Sequence, residues 1–449
     1  MAVIDPRFVQ ALSDLWSVRT STAGLHAEPA FKQLEQVCAD LYEGGGYNIG
    51  RALALNHAVR SLGAPCTQPH AAKALIGDVA TAANELDTAF KQVHTRLTHI
   101  CPLDYAEDLP RLEFGPVRLG RFEEAELEAI FDVTRLARYY PTRSLDTARL
   151  SQFHWLVVTE EVPVAASAGQ RSMPEFCDFM DRDGGAIDPH KSLYPRAVET
   201  ALFFLLLAPW EQWSTLNEVD WRGFRVPWVY SLNDDLFVSP APPPDADSLS
   251  WQPVIFTTED GDYVETDRPV EFTLTDAARD GMSQFCEEQW SRFQVGLHSD
   301  LLQTPIMHFL VRAFLSDGID EFMAHLTTIE AALGLQADHH QRGREPQLKK
   351  WGATKRVGAR LAAVMEDAKA AGLYVDLFDL RSAFIHGRDG AEKIPTHKRV
   401  QARRLAAASA AAIVQHATRS TLSREDLLKE LLDRGVALIA ESEANKSTR

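Results

Sequence analysis

A mainly α protein with a mixed α+β middle is the fold the sequence predicts, and three successive textures predict it. Residues 1–110 are rich in Ala and Leu at three-and-four spacing. Residues 111–300 carry Gly and Pro punctuation between short runs of β-forming residues, and 301–449 return to helical periodicity. A chain of 449 residues exceeds the usual size of one domain, so two or three domains are expected.

The elements follow in order. HAAKALIGDVATAANELDTAFKQVHTRL, His70 to Leu97, spaces its apolar residues as an amphipathic helix does. Upstream, EGGGYNIGR (Glu43 to Arg51) has the flavour of a phosphate loop, but it lacks the Gly-Lys-Ser/Thr ending and a preceding strand, so it reads as a loop. LEFGPVRLGRF from Leu112 sets Gly-Pro among apolar residues. HWLVVTEEVPV from His154 reads as a short strand, and RVPWVYSL from Arg225 has strand-like residues with an edge-type proline. SPAPPPDADS, 239–248, cannot continue a helix and marks a connector near a module boundary. VIFTTEDGDYVE then reads as a hairpin, because Asp-Gly tolerates the positive φ of its turn, and RPVEFTL is expected to join it.

The last third is helix after helix. One helix is expected from Thr304-Pro305 to Asp317-Gly318 and another from Ile319 to Leu333, stopped by Gly334. Past the polar loop QADHHQRGREPQ, a long helix covers Leu348 to Ala370 and ends at Gly372. A short helix runs from Leu373 to His386 with Gly387 as C-cap, Pro395 opens the next, and Ser423 with Asp426 three residues on caps the last. The sum is an α-helical bundle.

Composition excludes several classes. A net charge of -17 argues against a chain that coats DNA or an anionic membrane with its whole surface. The five cysteines are scattered without a CxxC pair or a His cluster at zinc spacing, so reduced thiols in a cytoplasmic protein are expected, with no metal and no cofactor. Adjacent His339 and His340 lack further ligands. ALFFLLLAPW, 201–210, is about half the length that crosses a bilayer and reads as a buried helix. No membrane association and no Ser-His-Asp arrangement are legible.

The sequence's most specific stretch is LRSAFIHGRDG, with Arg381 and His386 on either side of four residues. Leu373, Leu377, Leu380 and Phe384 form one apolar stripe, which puts both polar residues off the packed face. Five residues at 3.6 per turn separate Arg381 from His386 by roughly 140°, so a joint site on straight helices needs a second copy. A cation in a last turn also suits the helix dipole, so an ordinary helix end remains an alternative.

Arg381-Ser382-x-x-x-His386 resembles the Arg-polar-x(3)-His motif of HEPN domains. The order IDEFMAHLTTIEAALGL, polar loop, KKWGATKRVGARLAAVM, DLFDLRSAFIHG and KRVQARRL resembles the ApeA-like branch. The resemblance covers about Gln303 to Arg449 and implies a C-terminal HEPN-type bundle. It implies a homodimer in which two motifs meet, and a metal-independent endoribonuclease with Arg381 and His386 as catalytic residues. A part in bacterial stress response or anti-phage defence, through cleavage of RNA such as tRNA, follows from the resemblance alone. Where the family often has Asn, Asp or His after the arginine, this chain has Ser382.

The chemistry suits these residue types. A base that removes the RNA 2'-hydroxyl proton lets that oxygen attack phosphorus without a metal, and histidine titrates near neutrality. The planar guanidinium of Arg381 can hold two phosphoryl oxygens as charge builds on them. Glu330, beside Ile329 and Leu333, is placed to orient the arginine or is merely solvated. Between 341 and 404 there are fifteen Lys and Arg against seven Asp and Glu, leaving about -25 for the rest. Lys350, Lys355, Arg356, Arg388 and Arg399 are the candidate RNA contacts, with solvated helix faces as the bland reading. A large acidic N-terminal region would sense, restrain or position. The rival from another class is a HEPN bundle kept for dimerisation or nucleotide binding without cleavage.

Overall fold

The computed structural model describes residues 4–19, 24–42, 49–68, 73–164, 192–213, 222–258, 260–339, 351–387, 393–419 and 422–447. Its helices are α1 (Pro6–Ser17), α2 (Pro29–Leu41), α3 (Ile49–Ser61), α4 (Val79–Lys91), α5 (Glu124–Ile130), α6 (Val133–Tyr139), α7 (Thr147–Leu150), α8 (Arg196–Leu206) and α9 (Trp210–Trp213). They continue with α10 (Asp276–Met282), α11 (Glu287–Leu297), α12 (Ile306–Leu315), α13 (Gly318–Leu333), α14 (Ala353–Met365), α15 (Lys369–Ile385), α16 (Thr396–Arg419) and α17 (Arg424–Ser447). The strands are β1 (His94–Leu103), β2 (Tyr105–Ala106), β3 (Leu112–Phe114), β4 (Val117–Arg121), β5 (His154–Pro163), β6 (Tyr230–Asn233), β7 (Trp251–Thr257), β8 (Tyr263–Pro269) and β9 (Glu271–Phe272). The protein is mainly α with its strands in the middle of the chain, as its textures predict, but β1 and β5, at ten residues each, are longer than the short strands expected. It divides into two interleaved units, one of residues 1–102, 121–189 and 227–269, the other of 103–120, 190–226 and 270–449.

In the first unit Asp5 and Asp78 cap α1 and α4 by accepting from Arg7 and Thr81 amides. Phe8, Leu12, Phe31, Leu34 and Leu86 form the helical core, each large side chain contributing about 1.5–3 kcal/mol by leaving water. The helix expected through Leu97 ends at Lys91, and β1 begins at His94. Thr95, Thr98 and Ile100 are β-branched, and antiparallel pairing with β6, Leu97 opposite Asn233 and Ile100 opposite Tyr230, overrides the helical spacing there. Strands β5, β1 and β6 lie side by side in that order, above a second core that includes Phe131, Trp155 and Val157. The expected hairpin is β7–β8, its turn using Gly261 at φ 86. RPVEFTL joins it only in part: Arg268 and Pro269 end β8 opposite Gln252 and Trp251, whereas Glu271 and Phe272 form β9, which pairs in parallel with β2 in the other unit.

The second unit holds the hairpin β3–β4, turned at Gly115, whose φ is 51 and where a Cβ would lie 2.0 Å from the Trp290 indole. The expected helices of the last third are α12 to α17, with two corrections. The long helix is shorter, Ala353–Met365, because Glu366 turns left-handed at φ 51 and the Asp367 carboxylate accepts from the Lys369 amide to start α15. Gly372 therefore lies inside α15, at a cost of about 1 kcal/mol relative to Ala. Small residues let helices cross closely: a Cβ on Gly358 would stand 3.1 Å from the Ala371 carbonyl, and one on Gly435 1.8 Å from that of Ala359. Ser423 caps α17, as expected, by accepting from the Asp426 amide, and its hydroxyl donates to the Asp426 carboxylate. Among the described residues no helix is long and apolar enough to cross a membrane. The phosphate-loop-like residues 43–48, and His340, lie outside the described residues.

Candidate functional site

On α15 the fully buried positions are Ala370, Tyr374 and Leu377, and the next position on that face is Arg381. The stripe read from the sequence is thus rotated: Leu373 and Leu380 are only half-buried, and Phe384 is 51% exposed. Arg381 sits on the packed side, contrary to the sequence reading. The reason is a partner: Arg381 Nη1 donates to Glu330 Oε1 at 2.8 Å, with the guanidinium carbon 5.7 Å from the Phe378 ring centroid. So shallow an ion pair adds about 1 kcal/mol at most, so its main effect is to orient the guanidinium.

Glu330 is itself well fixed, because the end of its helix is clamped by two arginines. Arg360 Nη1 donates to the Leu333 carbonyl at 2.8 Å, and Arg424 Nη2 donates to those of Ala331 and Ala332 at 2.6 and 3.0 Å. Cations on the last carbonyls satisfy groups the helix leaves open and complement its dipole. Burial, helped by Arg360, brings the Arg424 guanidinium down to about 10, so it remains charged at neutral pH.

His386 is the C-cap of α15. Its amide donates to the Ser382 carbonyl at 3.0 Å, its ring is exposed, and Gly387 follows at φ 56. Ser382 is half-buried and contributes that carbonyl. Arg381 and His386 therefore differ in kind, one guanidinium held inward and one imidazole offered to solvent. Beside Arg381 opens a cavity of about 360 Å3, lined by Glu330, Thr354, Val357, Tyr374 and Phe378 among others.

The basic residues separate in the same way. Lys355 is exposed, whereas Arg356 is buried and donates to Trp351 O and Asp338 Oδ1 at 3.1 and 3.4 Å. Arg399 Nη2 donates to Glu321 Oε2 at 2.5 Å. Arg356 and Arg399 are thus committed to interior carboxylates rather than presented to a polyanion, and Lys350 and Arg388 lie outside the described residues. Arg360 likewise spends Nη1 and Nη2 on Asp338, at 2.5 and 3.0 Å. Lys369, Lys393 and Arg404 are exposed cations of the same stretch. Part of the local positive balance is therefore internal wiring.

The deepest part of that wiring is centred on Glu321, which is 0% exposed. It accepts from Arg222 at 3.1 Å, from Arg399 and from Arg403. Burial alone would raise this carboxyl; the His325 ring and the guanidiniums outweigh it and hold it well below the ordinary range. His325 Nε2 stands 3.7 Å from Glu321 Oε1, beyond hydrogen-bond length. Burial pushes His325 down, Arg403 and Arg222 push further, and Glu321 only partly offsets them. The folded chain keeps His325 neutral while the unfolded chain takes up a proton near pH 6.5, so folded stability falls as pH drops from about 7 through that value. Melting temperature measured from pH 7.5 to 5.5 is expected to fall less steeply for His325→Gln than for the parent; equal slopes would refute this.

A further cluster has no signal in sequence spacing. In the first unit His99, 2% exposed, contacts Ser231 Oγ through Nδ1 at 2.7 Å and Glu160 Oε1 through Nε2 at 2.9 Å. Strand register explains it, since His99 and Ser231 are direct partners and Glu160 lies on β5 alongside β1. Among the described residues no group of three or more His, Cys, Asp or Glu could hold a metal ion. No protein-family model matches the chain, and neither a curated protein nor a solved structure is significantly similar to it.

Proposed function

We propose that the protein is a metal-independent HEPN-type endoribonuclease that acts as a homodimer in the cytoplasm of a bacterial cell. The observation that carries this reading is the oriented Arg381: Glu330 holds its guanidinium beside a cavity, five residues before an exposed His386 on the same helix. His386 takes the proton of an RNA 2'-hydroxyl, whose oxygen attacks the adjacent phosphorus. The bond to the 5'-oxygen breaks, leaving a 2',3'-cyclic phosphate and, once that oxygen gains a proton, a 5'-hydroxyl. Arg381 neutralises the phosphoryl oxygens while this happens. Cleavage of total RNA or tRNA in EDTA, with the end groups mapped, tests the reading. Intact RNA would leave the rival, a non-catalytic dimerisation or nucleotide-binding module. Regulation or sensing by the region before residue 301, and a role in defence or stress, complete the proposal.

The second copy has a place to bind. Phe384 and Ile385 are each 51% exposed at the end of α15, immediately before His386. Large apolar side chains beside a catalytic group are costly to leave in water and suit burial against an identical helix end. Ile385→Asp is expected to shift the chain from dimer to monomer in analytical ultracentrifugation and to lower cleavage in parallel. A dimer that persists in this variant removes the α15 end from the interface.

A further inference from the structure

The cavity beside Arg381 has a chemistry that phosphate contact does not use. Its volume of about 360 Å3 falls among ligand pockets, roughly 300–1,000 Å3. Its lining includes aromatic and aliphatic side chains, Phe378 beside buried Tyr374 with ring centroids 6.2 Å apart, and Val357. It also includes Glu330, Thr354 and Gln336. Asp338 also lines the space, but Arg360 occupies both its oxygens. Glu330 has acceptor capacity left, because a carboxylate accepts about four hydrogen bonds and Arg381 takes Oε1. Its side chain is 32% exposed.

We propose that this cavity is a nucleobase subsite for the residue next to the phosphate on Arg381, and that it favours guanine. A flat base fits against Phe378, since ring faces attract each other whatever the base. Selectivity comes from Glu330. Guanine presents two adjacent donors, N1–H and the N2 amine, which match a carboxylate. Adenine and cytosine set one amine beside a ring acceptor that the carboxylate repels, and uracil sets one N–H between two carbonyls. Thr354 and Gln336 are within the same lining for the remaining edge. The inference rests on the ribonuclease reading for its substrate, but its binding step can be measured without cleavage.

The test is calorimetric titration of the full chain with the four nucleoside 3'-monophosphates. Guanosine monophosphate is expected to bind about tenfold tighter than the uridine compound. Phe378→Leu should weaken all four, and Glu330→Gln should level their ranking. Affinities for all four within about twofold of one another, or no binding at millimolar concentration, would overturn the subsite. Cleavage mapping separates the two proposals. Cutting that needs Arg381 and His386 yet ignores the neighbouring base removes the subsite and keeps the nuclease. Selective guanosine binding beside intact RNA keeps the subsite and removes the nuclease.

Discussion

RNA incubated in EDTA with the Arg381→Ala chain, or with the His386→Ala chain, is expected to stay intact at times when the parent has degraded it. Loss of the phosphate clamp should cost about 10²–10³-fold in rate and loss of the base about 10²–10⁴-fold. Neither change should disturb folding. His386 is exposed, and Arg381 has Nη1 on a shallow ion pair worth about 1 kcal/mol at most. The informative step is to mix the two inactive chains. If each site takes Arg381 from one copy and His386 from the other, a heterodimer has one site lacking both groups and one intact. Random exchange then restores about a quarter of the parent activity. No recovery on mixing would place both residues of a site on one chain, against the roughly 140° that separates them on an ideal helix.

Glu321→Ala should have the largest effect on stability. The substitution removes the buried carboxylate that Arg222, Arg399 and Arg403 share, while Arg222 keeps the Phe314 and Ser316 carbonyls and Asp317, and Arg403 keeps Glu211 at 3.6 Å. Removing one member of a buried ionic group costs about 3–5 kcal/mol, far more than the pairing contributed, because the remaining charges keep their desolvation cost. Urea unfolding monitored by helical circular dichroism should show this loss, with Glu330→Ala as the shallow control within about 1 kcal/mol of the parent. A Glu321→Ala chain as stable as the control would mean that partners already present, such as Asp317 for Arg222 and Glu211 for Arg403, are enough. The same experiment asks whether α13 and α16 owe their mutual placement to charge, since Arg399 and Arg403 lie on α16 and Glu321 on α13.

Periodicity and punctuation determined much of this protein by themselves. Most helices of the last third, the Asp-Gly hairpin, the Ser423 cap and the left-handed Gly387 could be read from residue types, because each depends on neighbours within a few positions, whereas the boundary between α14 and α15 could not. Tertiary structure decided whatever depends on partners far along the chain. Leu97 to Ile100 became part of a strand because Tyr230 to Asn233 pair with them. The α15 stripe turned so that Arg381 faces Glu330, 51 positions away. The count of Lys and Arg between 341 and 404 treated all cations alike, whereas Arg356, Arg360, Arg399 and Arg403 are drawn onto the buried carboxylates of Asp338 and Glu321. A charge has the same sign in the sequence wherever it lies, and only packing determines whether it meets water or another charge.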